Sequence, residues 1–380
     1  MSDRYRIISA DSHVSIPNEL VQAHLPKQLK ERFAETEAAY AAQMLEAKPQ
    51  KVKQNELKEQ RAAEPLMAAM ASLPNMGKGA PWPAAGRAGG HDPLERLKDM
   101  DIDGVEAEIL YVGAGGAEFA RLAPPERMDA TRAVNSAAME WASVDPKRLM
   151  PVYILPIDDV GLAVKELERV VAEHGKAVQL PVLPREQGLP PYWDATYDAL
   201  WEALSDVGVP ISMHVGSNSY LFGQVLPEDP TPFKGIFQCL PPIHMSELVA
   251  DWIISGVLER WPDLRVVFVE AGIGWIPYFL ERLDNMADMH GWNTFPAKAI
   301  TEKPSFYWYR NMAATFETDH VGMRLLDLIG YENLMWATDY PHPDSTWPRS
   351  QEVLQEHFAN LDRDKVELIA SENATRIYKL

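Results

Sequence analysis

Eight short apolar runs recur along the 380-residue chain, and segments with helical spacing separate them. Several of the runs are almost continuously apolar, which is typical of parallel strands buried on both faces of a sheet. Strand–helix alternation repeated eight times predicts an α/β fold, a (β/α)₈ TIM barrel. The predicted strands are Tyr5–Val14, Val105–Val112, Leu149–Pro156, Lys176–Val182, Val209–Val215, Leu264–Ala271, Asn311–Thr318 and Leu334–Tyr340.

The helical spacing is clear between the third and fourth runs. One apolar stripe is expected there, with Gly175 ending the helix. Its members are Val160, Val164, Leu167 and Val171. An open, doubly wound sheet is the alternative fold, but it needs a glycine-rich phosphate loop after the first strand. Residues 11–20 contain no glycine, which favours the barrel.

One stretch interrupts the alternation. Residues 26–90 are too many for an ordinary connection between the first two strands, and Glu31–Ala63 is rich in helix-forming residues. Ala80–Gly90 is rich in proline and glycine and predicts a loop. We therefore expect a single barrel over 1–380, with 26–90 inserted after strand 1 as a helical flap or an oligomer contact.

Charge and cysteine content exclude several classes of protein. With 36 Lys+Arg against 55 Asp+Glu, the net charge is 36 − 55 = −19 and no basic stripe is present. This argues against binding to nucleic acid or to an anionic membrane surface. The only cysteine, Cys239, excludes a disulfide framework within the chain. Because no run of 18 apolar residues occurs, we expect a soluble, cytoplasmic protein.

Polar residues stand where the predicted strands end, which is where active sites of such barrels lie. Asp11 and His13 are two residues apart, so on a strand both side chains point to one face. Joined by an imidazole and a carboxylate from other strands, they predict a mixed nitrogen and oxygen site for a divalent metal. Taken alone, His13 is better explained as a hydrogen-bonded buried histidine, and only the set of four favours a metal. The other strand-end residues are His214, Glu270, Glu317, Asp319, Asp339 and His342.

Several motifs together carry a resemblance to a known family. They are DSH at Asp11, MHVG at Met213, PDLRVVFVEAGIGW at Pro262 and WATDYPH at Trp336, together with RLKDMDIDGV at Arg96 and DPKRLMPV at Asp145. The set resembles the amidohydrolase-related family. It is most similar to the aminocarboxymuconate-semialdehyde decarboxylase-like branch of metal-dependent TIM-barrel enzymes. The similarity runs from Tyr5 to the C-terminus, except for the insertion.

The resemblance implies one divalent ion per chain, and the two carboxylates of its ligand set leave zinc and manganese equally plausible. The implied ligands are Asp11, His13, His214 and Asp339. Many relatives have histidine where this chain has Asp11, and the decarboxylases usually have histidine where it has Glu270. The resemblance also places Arg87 where relatives grip a substrate carboxylate, and His342, Trp275 and His244 could line the pocket.

Two reactions fit this set of residues. In the first, a non-oxidative decarboxylase acts on a small aromatic or conjugated carboxylic acid, and Asp339 protonates the carbon that loses carbon dioxide. In the second, a hydrolase of an amide, lactone or ester uses metal-activated water, with Asp339 as the base. Glu270 would transfer protons or orient a ligand, and it favours the second reaction.

A barrel without catalytic activity that acts as a binding protein is the third possibility. The partner is expected to be a small-molecule substrate. The 11 tryptophans and the long insertion also predict a homodimer or a higher even oligomer.

Overall fold

A computed structural model describes residues 4–32, 84, 86–112, 124–215, 239–294, 299–342 and 344–380 of the chain. The larger part of the predicted flap, residues 33–83, lies outside these residues. Residues 27–32 are helical, and Ala88–Gly90 forms a single 3₁₀ turn before the second strand. In the described part of the chain, no helix is both long and apolar enough to cross a membrane.

The eight predicted strands form one parallel sheet in which each strand pairs with the next one along the chain. Two backbone hydrogen bonds connect the last strand to the first: Asp339 N–H donates to Asp11 O at 3.1 Å, and His13 N–H donates to Tyr340 O at 2.6 Å. The sheet is therefore a barrel, and the doubly wound alternative is wrong. The strands are β1 (Ile8–Val14), β2 (Ala107–Val112), β3 (Leu149–Ile154), β4 (Ala177–Gln179), β5 (Ile211–His214), β6 (Val266–Val269), β7 (Met312–Phe316) and β8 (Leu334–Trp336).

Helices follow the strands and cover the outside of the sheet. They are α1 (Asn18–His24), α2 (Pro93–Asp103), α3 (Pro124–Ala142), α4 (Val160–Ala172), α5 (Asp198–Val207), α6 (Pro241–Ile254), α7 (Val257–Arg260), α8 (Ile276–Thr294), α9 (Pro304–Asn311), α10 (Leu326–Ile329), α11 (Ser350–His357), α12 (Arg363–Glu367) and α13 (Asn373–Tyr378).

Both faces of the sheet are buried, which explains the continuous apolar runs. Side chains such as Ile109, Val152 and Met335 form one buried cluster, which contains residues of seven strands. A second, larger cluster joins the opposite faces of the strands to the surrounding helices. The barrel interior is therefore a packed core, and polar side chains are concentrated at the ends of the strands.

Helix α4 corrects two details of the sequence analysis. Its fully buried residues are Ala163, Glu166, Leu167 and Val170, so of the predicted stripe only Leu167 is fully buried. The stripe is displaced because Glu166 is buried, where it accepts hydrogen bonds from Asn135 and Arg169. The left-handed residue at the helix end is His174, at φ 66°, rather than Gly175.

Candidate metal centre

The first strand brings its two polar residues to the barrel mouth through an irregularity. The pairing register of β1 with β2 shifts between Ser9 and Ser12, as at a β-bulge. The Ser9 hydroxyl donates to the carbonyl of Asp11 at 2.7 Å and lies 3.1 Å from the hydroxyl of Thr338. These contacts fix β1 against the segment that follows β8.

Four side chains from three places in the chain converge at the mouth. Asp11 Oδ1 lies 3.5 Å from Nε2 of His13 and 3.5 Å from Nε2 of His214. On the other side, Nε2 of His13 lies 3.1 Å from Oδ1 of Asp339. The structure thus brings together the four residues that the sequence indicated as metal ligands.

Several atoms of this cluster are buried and unsatisfied. Among the described residues, both carboxylate oxygens of Asp11, Nε2 of His13 and Oδ1 of Asp339 have no partner with hydrogen-bond geometry. Asp11 and Asp339 are both fully buried. Buried charged groups are normally paired or bound to a metal, so the arrangement fits a cation between these atoms.

Burial and mutual contacts shift the pKa values of the cluster. Burial lowers the pKa of His13 and of His214, which favours the neutral imidazole that a metal ligand must be. Burial raises the pKa of Asp11 to about 7. Burial also acts to raise the pKa of Asp339, but its close contacts with His13 and His342 outweigh burial and keep that pKa below its ordinary value.

Two residues of the site have an unusual backbone. Glu270 follows β6 at φ 56°, and Asp339 lies beyond β8 at φ 52°. Residues other than glycine seldom adopt this left-handed conformation, and such strain is concentrated at functional sites. The predicted last strand was longer than β8 because apolar patterning does not register this left-handed turn.

His342 lies on the solvent side of the site and contacts two of its residues, Asp339 and His13. Its Nδ1 lies 3.0 Å from Oδ1 of Asp339, and its ring stacks on that of His13 with centroids 3.9 Å apart. Although burial acts to lower it, the hydrogen bond with Asp339 raises the pKa of His342 to about 9. Since its side chain is 41% exposed, His342 connects Asp339 with solvent.

Two glutamates stand at neighbouring strand ends. Oε2 of Glu270 lies 3.8 Å from Nδ1 of His214, which is beyond hydrogen-bond distance, and its side chain is 28% exposed. Burial, reinforced by Asp339 and opposed by His214, raises the pKa of Glu270 to about 8. Glu317 follows β7, and its Oε1 is buried.

Three of the predicted pocket residues have partners of their own. The Arg87 guanidinium donates from Nε to both oxygens of Asp99, at 2.8 and 2.9 Å. The indole of Trp275 donates to the carbonyl of Ala271 at 2.8 Å. His342 contacts Asp339, as described above. His244 is on the first turn of α6 and is partly buried. Substrate binding by these residues stays a prediction.

Sequence reasoning missed two residues beside the site. The Tyr111 ring lies 4.8 Å from that of His214, and its hydroxyl donates to Ser212 at 3.0 Å. Arg96 is completely buried beneath the site. No local signal in the sequence marks it, because its charge is satisfied by Glu108 and the carbonyl of His13, which lie on other elements.

Comparisons with known proteins agree with this geometry. The model of a family described as Amidohydrolase matches residues 11–380. A gamma-resorcylate decarboxylase of Rhizobium sp. (strain MTP-10005) is 26% identical over 309 residues, which cover 75% of this chain and 86% of that protein. The family match confirms the resemblance noted in the sequence motifs.

Solved structures confirm the fold. The 5-carboxyvanillate decarboxylase from Sphingomonas paucimobilis superposes with a TM-score of 0.66 at 22% identity, covering 99% of each chain. A dihydroxybenzoic acid decarboxylase from Polaromonas sp. JS666, solved with bound manganese and 2-nitroresorcinol, gives a TM-score of 0.65 at 17% identity. That match covers 99% of this chain and 97% of the other.

Proposed function

Because the chain belongs to the amidohydrolase family, we propose that it is a metal-dependent, non-oxidative decarboxylase of a small aromatic or conjugated carboxylic acid. The observation that carries the proposal is the convergence of buried, unsatisfied ligand atoms from Asp11, His13 and Asp339. The names of the relatives, which are decarboxylases of aromatic acids, support the reaction class.

The residues present fit one divalent ion per chain. Asp11, His13, His214 and Asp339 would hold it with two imidazoles and two carboxylates, whose charges balance a divalent cation. This mixed set suits zinc or manganese, and the manganese in the Polaromonas structure supports the second. When bound, the ion supplies positive charge that holds the carboxylate of the substrate beside these side chains.

The proton chemistry falls to Asp339 and His342. Asp339, whose low pKa keeps it a carboxylate, takes a proton from His342 and passes it to the substrate carbon that bears the carboxylate. The bond from that carbon to the carboxylate breaks, its electron pair stays with the substrate, and carbon dioxide leaves. His342 then regains a proton from solvent, since it contacts Asp339 and is partly exposed.

Hydrolysis of an amide, lactone or ester is the second candidate, and Glu270 is the observation that favours it. A carboxyl group stands at the strand end where decarboxylases of the branch usually have histidine. It could accept a proton from an attacking water molecule. The same ligand set would serve this reaction, so only the products separate the two candidates.

The test is a metal analysis followed by a screen of hydroxybenzoic acids and lactones. Carbon dioxide release and ring opening are measured separately. We expect close to one zinc or manganese per chain and carbon dioxide release from at least one acid. Chelation should abolish the release, and addition of the ion should restore it.

A matched pair of histidine variants completes the test. His13→Ala should lower metal content or reduce turnover by about 10²-fold or more, since even outer contacts of a ligand are worth 10- to 100-fold. His91→Ala, at an exposed position, should change neither. Full occupancy and turnover in His13→Ala would refute the ligand assignment. Ring opening without carbon dioxide release would favour the hydrolase.

The remaining expectations are also proposals. We propose that the active form is a homodimer that works in the cytoplasm on a small-molecule substrate. The exposed apolar side chains of the helices that follow β5, β6 and β7 support the dimer; among them are Ile243, Tyr278, Met289, Phe306, Tyr309 and Leu328. The net charge of −19 supports the absence of nucleic acid and anionic membrane surfaces among the partners.

A further inference from the structure

Glu317 has no role in the reaction described above, although it lies in the same site. It directly follows β7, between the ends of β6 and β8, where Glu270 and Asp339 are located. The indole of Trp336 donates to the carbonyl of Glu317 at 2.8 Å, and this bond fixes the backbone at that point. Glu317 is therefore held at the barrel mouth by the fold.

One oxygen of the Glu317 carboxyl group lacks a donor. Its Oε1 is buried and, within the described ranges, accepts no hydrogen bond. Leaving such an atom buried and unpaired destabilises the protein. The charged groups that act on it are the carboxylates of Asp339, Asp11 and Glu270, which repel a negative charge. A partner for Glu317 is thus expected from outside the protein.

That partner differs from the divalent ion. Three groups of side chains in the described structure bring possible ligand atoms within 4.8 Å of one another, and Glu317 belongs to none of them. A second anionic group, beside the substrate carboxylate that the ion would hold, is disfavoured because Asp339, Asp11 and Glu270 would repel it. What remains is a neutral or cationic group that carries a hydrogen, held by the substrate close to its reacting carbon.

We propose that Glu317 determines substrate specificity by forming a hydrogen bond with a hydroxyl or amino substituent of the substrate. This inference rests on the proposed function. A buried polar group that is satisfied only by the correct substrate discriminates strongly against an analogue without the donor. The enzyme would therefore prefer acids with such a substituent to their methyl ethers or unsubstituted counterparts.

The experiment compares two ligands that differ by one donor, a 2-nitrophenol and its methyl ether. Binding to the metal-loaded protein is measured by calorimetry, so no turnover is needed. We expect the wild type to bind the phenol about 10-fold more tightly, the scale of a single well-formed hydrogen bond. Carbon dioxide release from 2-hydroxybenzoate and 2-methoxybenzoate is measured in parallel.

Three variants isolate the contact. Glu317→Leu should bind the phenol and the ether about equally, whereas Glu317→Gln, which keeps a hydrogen-bonding side chain, should retain part of the preference. Glu332→Leu makes the same change at an exposed glutamate directly before β8, at the opposite end of the barrel, and should behave as the wild type. Metal content, measured for each variant, should stay near one ion per chain.

Each result decides the question. An undiminished preference in Glu317→Leu, or equal binding of both ligands by the wild type, would overturn the proposal. An equal loss of affinity for both ligands in Glu317→Leu would also overturn the proposal, because it would indicate a structural role. A wild type that distinguishes the ligands but releases no carbon dioxide from any acid would refute the decarboxylase and leave the role of Glu317 supported.

Discussion

At the scale of single residues, Glu270 is the site residue for which the family resemblance implied a histidine. Its left-handed backbone turns the chain immediately after β6, and its amide donates to the hydroxyl of Thr315 at 2.9 Å. The carboxyl group is too far from His214 for a hydrogen bond. It therefore does not orient that imidazole directly, and a part in proton transfer is the better interpretation.

Replacing Glu270 by glutamine tests this interpretation. The change keeps the size of the side chain but removes its titrating group, so turnover should fall by about 10²-fold or more, the usual scale for a general acid or base. Metal content should stay near one ion per chain. If turnover were nearly unchanged and metal affinity fell by about 10-fold instead, Glu270 would be an orienting residue.

At the scale of secondary-structure elements, Arg96 joins the parts that carry the ligands. From α2 its guanidinium donates to Glu108 on β2 at 2.6 Å and to the carbonyl of His13 on β1 at 3.0 Å. It also lies 3.5 Å from the carbonyl of Tyr340, next to Asp339, and 4.1 Å from the Tyr340 ring. One side chain thus supports the backbone beside two of the four proposed ligands.

Removing this support should weaken both the fold and the metal site. Arg96→Met leaves Glu108 buried without its partner, so we expect a loss of about 3–5 kcal/mol in the free energy of unfolding. Metal affinity should fall as well, because the carbonyls of His13 and Tyr340 lose a common donor. Unfolding is followed by thermal melting and affinity by competition with a chelator.

A double variant separates the two effects. Arg96→Met with Glu108→Leu removes both charges, and apolar replacement of a buried ion pair is often neutral or stabilising. Stability should therefore largely return, whereas metal affinity should stay low because the carbonyls remain without their donor. Recovery of both properties would show that Arg96 contributes only through its ion pair.

At the scale of the whole molecule, a strongly negative net charge coexists with exposed apolar side chains. The chain carries a net charge of −19, yet large apolar side chains are exposed on α8, α9 and α10. Tyr278 is 74% exposed, and Tyr309 and Leu328 are adjacent, since the Tyr309 hydroxyl donates to the Leu328 carbonyl at 2.7 Å. This side of the barrel is the best candidate for the homodimer contact.

Light scattering at micromolar concentration tests the dimer. We expect about 85 kDa, twice the chain mass of 42.7 kDa. Tyr278→Lys places a charge in the expected contact and should shift the equilibrium towards the monomer. Leu94→Lys, at a 60% exposed position on α2, is the matched control and should leave the mass unchanged. A monomeric wild type would contradict the prediction.

The sequence by itself determined the barrel and the composition of its site. Local patterning was sufficient because strands buried on both faces must be apolar throughout, so Asp11, His214 and Asp339 were conspicuous at the strand ends. The sequence also predicted the order of the strands in the sheet, since each crossover of such a barrel connects two neighbouring strands.

Tertiary structure alone decided which side chains meet. Asp11 and Asp339 are brought together only because the barrel closes between its first and last strands. The buried charge of Arg96 and of Glu166 could not be predicted, because each is satisfied by partners from other elements. The partner of Arg87 could not be predicted either, because its guanidinium contacts Asp99, which only the fold brings near. Local sequence records periodicity and propensity, whereas the satisfaction of a buried charge depends on groups that are distant in the chain.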